Sequence, residues 1–419
     1  MLHARVTVEG NNVKKRLISL SASVAAIAAT LVAVLGLSAL PAGAVAAADV
    51  PPIGADAGRF NLPITCQIAL GGVNLIGIDL SVQVQGVAPA TLAPGQQFYL
   101  TQGSGSMTFP DWIPTLAGLI GGGTADATLT ELNIGSTAGN QIINVAQTPI
   151  YIPGIQIKSG QALTVGLPKT GTFEVGPYTA PKSGTDTLQF AGAKVSIVLH
   201  AGLGIDLPLS ADCKPKGANA LLTMEVGASS PNVQKYLGSS MNFPDVAIGQ
   251  LVGTITSPYR CQFNGGNLDV GVAVNGLMPL SISRFDQFAI SNASGALVVP
   301  TEQVNKLLDQ GHSSISGSAT ALNLLTDNAS PKSVNALSGG AIALPRTPLV
   351  RDHPVVLPLP ATGTLKTPAM SPGWLTSATS MTVWLGSIAA QLSLDGGTAS
   401  AATCATPSPR VILGQFPIT

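Results

Sequence analysis

Gly311-His312-Ser313-Ser314 comes closest to a nucleophile motif in this chain of 419 residues. A nucleophile elbow holds its serine on a sharp strand-to-helix turn between glycines, where larger side chains would clash. Ile315 stands where the closing glycine belongs, and the matching residues of the repeat described below are Gly121, Gly122 and Gly123, with no serine. A polar turn after a short helix is expected there, with an exported hydrolase centred on Ser313 or on an aspartate pair as the alternative. Two carboxylates can run glycoside hydrolysis, and Asp79 and Asp269 are the acids that recur in both halves. Each occupies the polar face of an alternating strand, so a solvated aspartate is expected at both positions. His200, His312 and His353 lack the spacing of a zinc site, and Asp126, Glu131 and Asp327 lack that of a calcium loop. No glycine-rich phosphate loop, metal cluster or basic patch stands out. The sequence therefore predicts no catalytic, metal or cofactor residues and no cofactor.

Two further motifs read structurally. Leu359-Pro360-Ala361-Thr362-Gly363 spells a sortase sorting signal, but such a signal needs an apolar span and a basic tail directly after it. Here strand patterns and Cys404 follow, and Leu167-Pro168-Lys169-Thr170-Gly171 repeats the motif in the middle of the first half. A motif at one register in both halves predicts a strand end followed by a turn. Trp112, Trp374 and Trp384 share no pattern between halves, and aromatic residues are only 4% of the chain. A glycan-binding platform would need Trp374 or Trp384 exposed, and burial is expected instead.

Positioning elements follow from composition. Asp, Glu, Lys and Arg make up 10% of residues and hydrophobic residues 45%, with 47 Gly and 31 Pro. Low charge with ample apolar content excludes an intrinsically disordered chain. Balanced charge excludes a protein that holds nucleic acid by neutralising phosphates. Excess Gly and Pro favours many short strands joined by turns. Arg5, Lys14, Lys15 and Arg16 precede an apolar stretch from Leu17 to Leu40, then Pro41 and a run of small residues to Ala48. These are the parts of a secretory signal peptide, read as residues 1–48, with a retained signal-anchor as the alternative. Its removal takes four basic residues and one acidic residue from the balanced twenty and twenty, leaving a net charge of −3. No later apolar run compares with it, so no transmembrane segment is expected after cleavage. In an exported chain Cys66, Cys213, Cys261 and Cys404 read as disulfides.

Self-comparison organises the rest. Residues 78–89 match residues 268–279 at an offset of 190, with Asp79/Asp269, Val82/Val272, Val84/Val274, Gly86/Gly276 and Pro89/Pro279 identical. Cys66 matches Cys261 at an offset of 195, so the second copy lacks five residues in its first loop. Cys213 matches Cys404 at an offset of 191. Each copy thus begins and ends with a cysteine, which predicts Cys66–Cys213 and Cys261–Cys404. A Cys66–Cys261 cross-link is the alternative. Ile78, Leu80, Val82 and Val84 alternate with polar residues, as do Leu268, Val270, Val272 and Val274, the pattern of a half-buried antiparallel strand. Val195, Ile197 and Leu199, like Met381, Val383 and Leu385, predict a late strand in each copy. After Pro110 or Pro300, Asp111 or Thr301 is placed to cap a short helix carrying Ile113, Leu116 and Ile120, or Val304, Leu307 and Leu308. The expected fold is all-β: two tandem β-sandwich domains, immunoglobulin-like, each with one short helix. The expected bounds are 49–213 for the first repeat, 261–404 for the second, an inter-repeat segment 214–260 of further strands, and a C-terminal tail 405–419.

The alanine-rich leader, the Cys-initiated strand, the alternating strand ending in Gly-x-x-Pro, the Pro-initiated helix, the Leu-Pro-x-Thr-Gly-Thr segment and the closing Cys together resemble a family of secreted domains in high-GC Gram-positive bacteria. Its unit is a β-rich, cysteine-bracketed domain of unknown function, present singly or in tandem. The resemblance covers residues 66–213 and 261–404. It implies an exported protein, extracellular or associated with the cell envelope, with an envelope or extracellular partner of unknown identity. A non-enzymatic structural or adhesive role is expected, with a glycan-binding module as a further alternative.

Overall fold

The computed structural model describes residues 50–227, 243–373 and 377–419. The expected leader, residues 1–48, and Trp374 lie outside the described residues. Alternating apolar residues build strands throughout. The first copy runs β1 (Ala55–Leu70), β2 (Val73–Pro89), β3 (Thr91–Leu92), β4 (Gln97–Phe109), α1 (Trp112–Leu119), β5 (Thr124–Ser136), β6 (Gln141–Asn144), β7 (Ile150–Gln156), β8 (Leu163–Leu167), β9 (Phe173–Thr179), β10 (Gly184–His200), β11 (Asp206–Pro215) and β12 (Ala220–Val226). The second runs β13 (Gln250–Phe263), β14 (Gly266–Pro279), β15 (Ser291–Val299), α2 (Thr301–Asp309), β16 (Ser314–Asp327), β17 (Ala329–Ser330), β18 (Ser333–Asn335), β19 (Ile342–Pro348), β20 (Val355–Leu359), β21 (Ser371–Pro372), β22 (Ser380–Leu394), β23 (Ser400–Cys404) and β24 (Ile412–Pro417). The fold is all-β. No helix among the described residues is long and apolar enough to cross a membrane.

Hydrogen bonding reproduces the repeat. In the first copy the antiparallel order is β8-β4-β2-β1-β11-β10-β5-β7. In the second it is β20-β15-β14-β13-β23-β22-β16-β19, the same order strand for strand. Ile78, Leu80, Val82 and Val84 of β2 are buried, as are Leu268, Val270 and Val272 of β14. The first core gathers Leu62, Ile64, Leu129, Leu188 and Phe190. The second gathers Val299, Ile315, Leu357, Met381 and Phe416. Cys66 faces Cys213 across β1 and β11, and Cys261 faces Cys404 across β13 and β23; disulfides join both pairs.

Strand pairing carries each copy beyond its cysteines. Among the described residues of segment 214–260, 214–215 end β11, Ala220–Val226 form β12, which pairs with β10, and 250–260 begin β13. Residues 405–419 contain β24, which pairs with β22 as β12 pairs with β10. The N-terminal half of β1 pairs antiparallel with that of β13, from Asp56↔Ile255 to Asn61↔Gln250. Gly58 faces Gly253 in this ladder, and these two are equivalent at the offset of 195 that links the cysteines. Equivalent residues opposite one another define a local two-fold axis, the geometry of an isologous dimer. Packing there is tight: a Cβ on Gly253 would lie 3.3 Å from the Ala57 carbonyl oxygen, and one on Gly58 3.1 Å from the Phe60 ring.

Candidate functional site

At the helix end of the first copy the two walls of the core do not close on each other. Ile68, Ile78, Met107, Leu129, Ile152 and Ile197 are among the side chains around an apolar cavity of about 230 Å³, with Cys66 in its wall. A protein cavity of ~150 Å³ lined by Leu, Ile and Phe stays dry and takes up a small hydrocarbon. Trp112, Ile113, Leu116 and Ala117 of α1 cover this cavity, yet Pro114 is the helix's buried residue. Trp112, Leu116 and Ile120 are exposed, so the helix lies over the opening rather than sealing it.

Three uncharged loops surround that opening. The β1–β2 hairpin turns at Gly71-Gly72, both with positive φ, and exposes Leu70, Val73 (66% exposed), Leu75 and Ile76. The loop after α1 exposes Leu119 (78%) and Ile120, and the loop before β11 exposes Ile205. A Cβ on Gly121 would come within 3.0 Å of the Gly202 backbone, which places these two loops side by side. Leu70 pairs in register with Leu209, and Ile197 also pairs with Leu209, which brings the hairpin to the same end. Large apolar side chains exposed together mark a contact or binding surface.

The second copy is built differently at the corresponding place. α2 is amphipathic and buries Gln303, Val304 and Leu307. Its N-cap is the extended Pro300, so Thr301 is the first helical residue rather than the cap; in α1, Asp111 is the N-cap residue but makes no side-chain capping bond. The loops are polar: Asp395 accepts hydrogen bonds from the Ser313 amide at 2.7 Å and the Ser313 hydroxyl at 2.8 Å, and lies 2.8 Å from His312 Nδ1. These donors hold its carboxyl well below the usual carboxylate range, the Ser313 amide foremost. Ser313 and His312 thus converge on one carboxylate, and the serine hydroxyl bonds to Asp395 rather than to the imidazole. A base in contact with the nucleophile is what serine chemistry requires.

The remaining sequence candidates disperse. Asp79 is exposed and ion-paired with Lys216, with Thr65 Oγ1 donating at 2.7 Å. Lys216 first, then Thr65, lower its pKa. Asp269 accepts from Arg260 at 2.7 and 3.1 Å, and this pairing lowers its pKa. His200 lies 2.8 Å from Asp206 and 3.4 Å from Asp126, and Asp206 chiefly raises its pKa. His353 lies in an exposed loop with Nδ1 2.9 Å from the Arg351 carbonyl. Among the described residues no group of three or more His, Cys, Asp or Glu is placed to hold a metal ion. Trp384 is buried, with Arg410 4.3 Å above its ring. Leu167 and Leu359 end β8 and β20 and pair with Gly105 and Gly295, so both Leu-Pro-x-Thr-Gly segments are strand ends followed by turns.

No family model, no curated protein and no solved structure is similar to this chain at a significant level. Its reading rests on its own residues. The apolar opening was missed by motif reasoning, but a signal was present: the five residues by which the first copy's opening loop is longer fall in Ile68–Ile76, an apolar run around a Gly-Gly turn.

Proposed function

We propose that the chain is an exported protein of the cell envelope or extracellular space, of the secreted cysteine-bracketed family it resembles, with each copy an immunoglobulin-like β-sandwich. It acts by binding rather than by catalysis, and its first copy holds the hydrocarbon part of an amphiphile. The carrying observation is the 230 Å³ apolar cavity opening beneath Trp112 and Leu116, with exposed apolar loops around it. Burying a hydrocarbon there removes apolar surface from water at about 25 cal/mol per Å². An exported location is supported by the leader and by two disulfides, which persist in oxidising compartments.

Titration with a fatty acid carrying an environment-sensitive fluorophore tests the reading. Wild type is expected to bind with a blue-shifted emission. Ala127→Phe, which fills the cavity, is expected to weaken binding by about tenfold or more, equivalent to roughly 1.4 kcal/mol. Leu116→Lys, at the mouth, should weaken it without disturbing the core. Absence of binding by wild type, or equal binding by folded Ala127→Phe and Leu116→Lys proteins, would overturn it.

A further inference from the structure

A second cavity lies between the copies, on their local two-fold axis. The axis passes through the Gly58↔Gly253 pair of β1 and β13. It passes again between β12 and β24, where Thr223 Oγ1 donates to Gln415 Oε1 at 3.3 Å. Thr223 pairs with Thr187, and Gln415 with Thr382, in the corresponding ladders of the two copies, so Thr223 and Gln415 are also equivalent residues. Between these crossings is a cavity of about 80 Å³ whose lining includes Phe60, Leu222, Ile255, Met278 and Ile290.

Asp56 also lines it, and is the one titratable side chain to do so among the described residues. It is 8% exposed and has no hydrogen bond or ion pair to its carboxyl among the described residues. Arg59, the nearest basic residue along β1, is engaged with Gln85, the Phe243 carbonyl and Asp245. At the equivalent position the second copy has Leu251, an ordinary apolar residue for an apolar wall. A carboxyl buried without a partner is unfavourable, and a leucine of similar size was available to the same backbone. Buried acids with perturbed ionisation in a cleft concentrate at functional sites.

We propose that the inter-copy cavity binds a short aliphatic ammonium ion, its headgroup on the Asp56 carboxylate and its chain against Phe60, Ile255 and Met278. An ammonium supplies the missing charge partner and up to three donors to a group that has none, while the chain occupies apolar space. This site is independent of the first copy's cavity and does not rest on the function proposed above.

Calorimetric titration of the whole disulfide-bonded protein with hexylammonium, hexanol and hexanoate near neutral pH tests it. Wild type is expected to bind hexylammonium at least about tenfold more tightly than hexanol and to exclude hexanoate. Binding should release a proton, read from the dependence of the heat on buffer ionisation enthalpy. Asp56→Asn and Asp56→Leu should both lose the preference, and Leu copies the residue of the other repeat, so it keeps the fold testable. Ala127→Phe, in the first copy, should leave it unchanged. Equal affinity for hexylammonium and hexanol in wild type, or a preference that survives in either Asp56 variant, would overturn the proposal.

Discussion

Replacing Asp56 by Asn should stabilise the protein, and by an amount that grows with pH. The carboxyl is pushed up from 3.8 to about 8 by burial alone. The folded state therefore holds a proton that the unfolded chain has released between those two values. Where the folded state binds more protons, stability falls as pH rises. The loss begins above the unfolded pKa near 4, deepens up to about 8 and levels off beyond it. Each unit of pKa difference corresponds to about 1.4 kcal/mol, so some three units lie between 3.8 and pH 7. The ionisable side chain thus costs the fold on the order of 4 kcal/mol at neutrality, which Asn does not incur. Urea unfolding of wild type and Asp56→Asn at pH 4.5, 6 and 7.5 reads this directly, because every other titrating group cancels in the difference. The stability of Asn minus that of Asp should rise by about 4 kcal/mol across the series. A difference that stays flat would show that the carboxyl is solvated or partnered in solution, and would refute its description as a buried neutral acid. Hexylammonium, if it binds as proposed, should narrow the gap by stabilising folded wild type alone.

Removing the first bracket by Cys66→Ala with Cys213→Ala opens a loop of 147 residues and should lower stability by about 2–5 kcal/mol, measured by thermal or urea unfolding. The two helices should respond unequally: Leu307→Ala, buried in α2, is expected to cost about 2–4 kcal/mol, whereas Leu119→Ala in α1, 78% exposed, should stay within about 0.5 kcal/mol. Leu119→Asp together with Val73→Asp should leave the melting temperature nearly unchanged while reducing retention on a phenyl resin, since both side chains stand in water beside the apolar opening.

What the sequence revealed depended on where the physics leaves a repeating mark. Period-two alternation at Ile78–Val84 and Leu268–Val274 reports one-sided burial, and the cysteines at matched offsets placed both disulfides. The repeat bound at Cys261 falls inside β13, whose first residues from Gln250 belong to the expected inter-repeat strands, because side chains along this stretch are dissimilar between the copies. The clue was Gly58/Gly253 with Pro63/Pro258 at the cysteine offset, which marks a close backbone crossing rather than a core. β24 lies within the expected tail 405–419, since Ile412–Pro417 is short and, among the described residues, gains its ladder from β22. The apolar opening escaped motif reasoning because it is made of unfilled space and of leucines and isoleucines on turns, which carry no spacing rule. Asp56 was equally silent: only its neighbours reveal that it is buried, and only the other copy shows that a leucine fits there.

The ladder between β1 and β13 also bears on how this chain can be divided. Each copy on its own would present six residues of bare strand, Asp56–Asn61 or Gln250–Ile255, with unpaired amides and carbonyls at a sheet edge. Such an edge invites pairing with another chain. A separated copy would find its best-matched partner in its own twin, because the ladder already joins like to like about Gly58 and Gly253. Fusion of the copies makes that encounter intramolecular and unavoidable. It also frees the two faces from having to be identical, which is what allows one side to keep an aspartate where the other keeps a leucine.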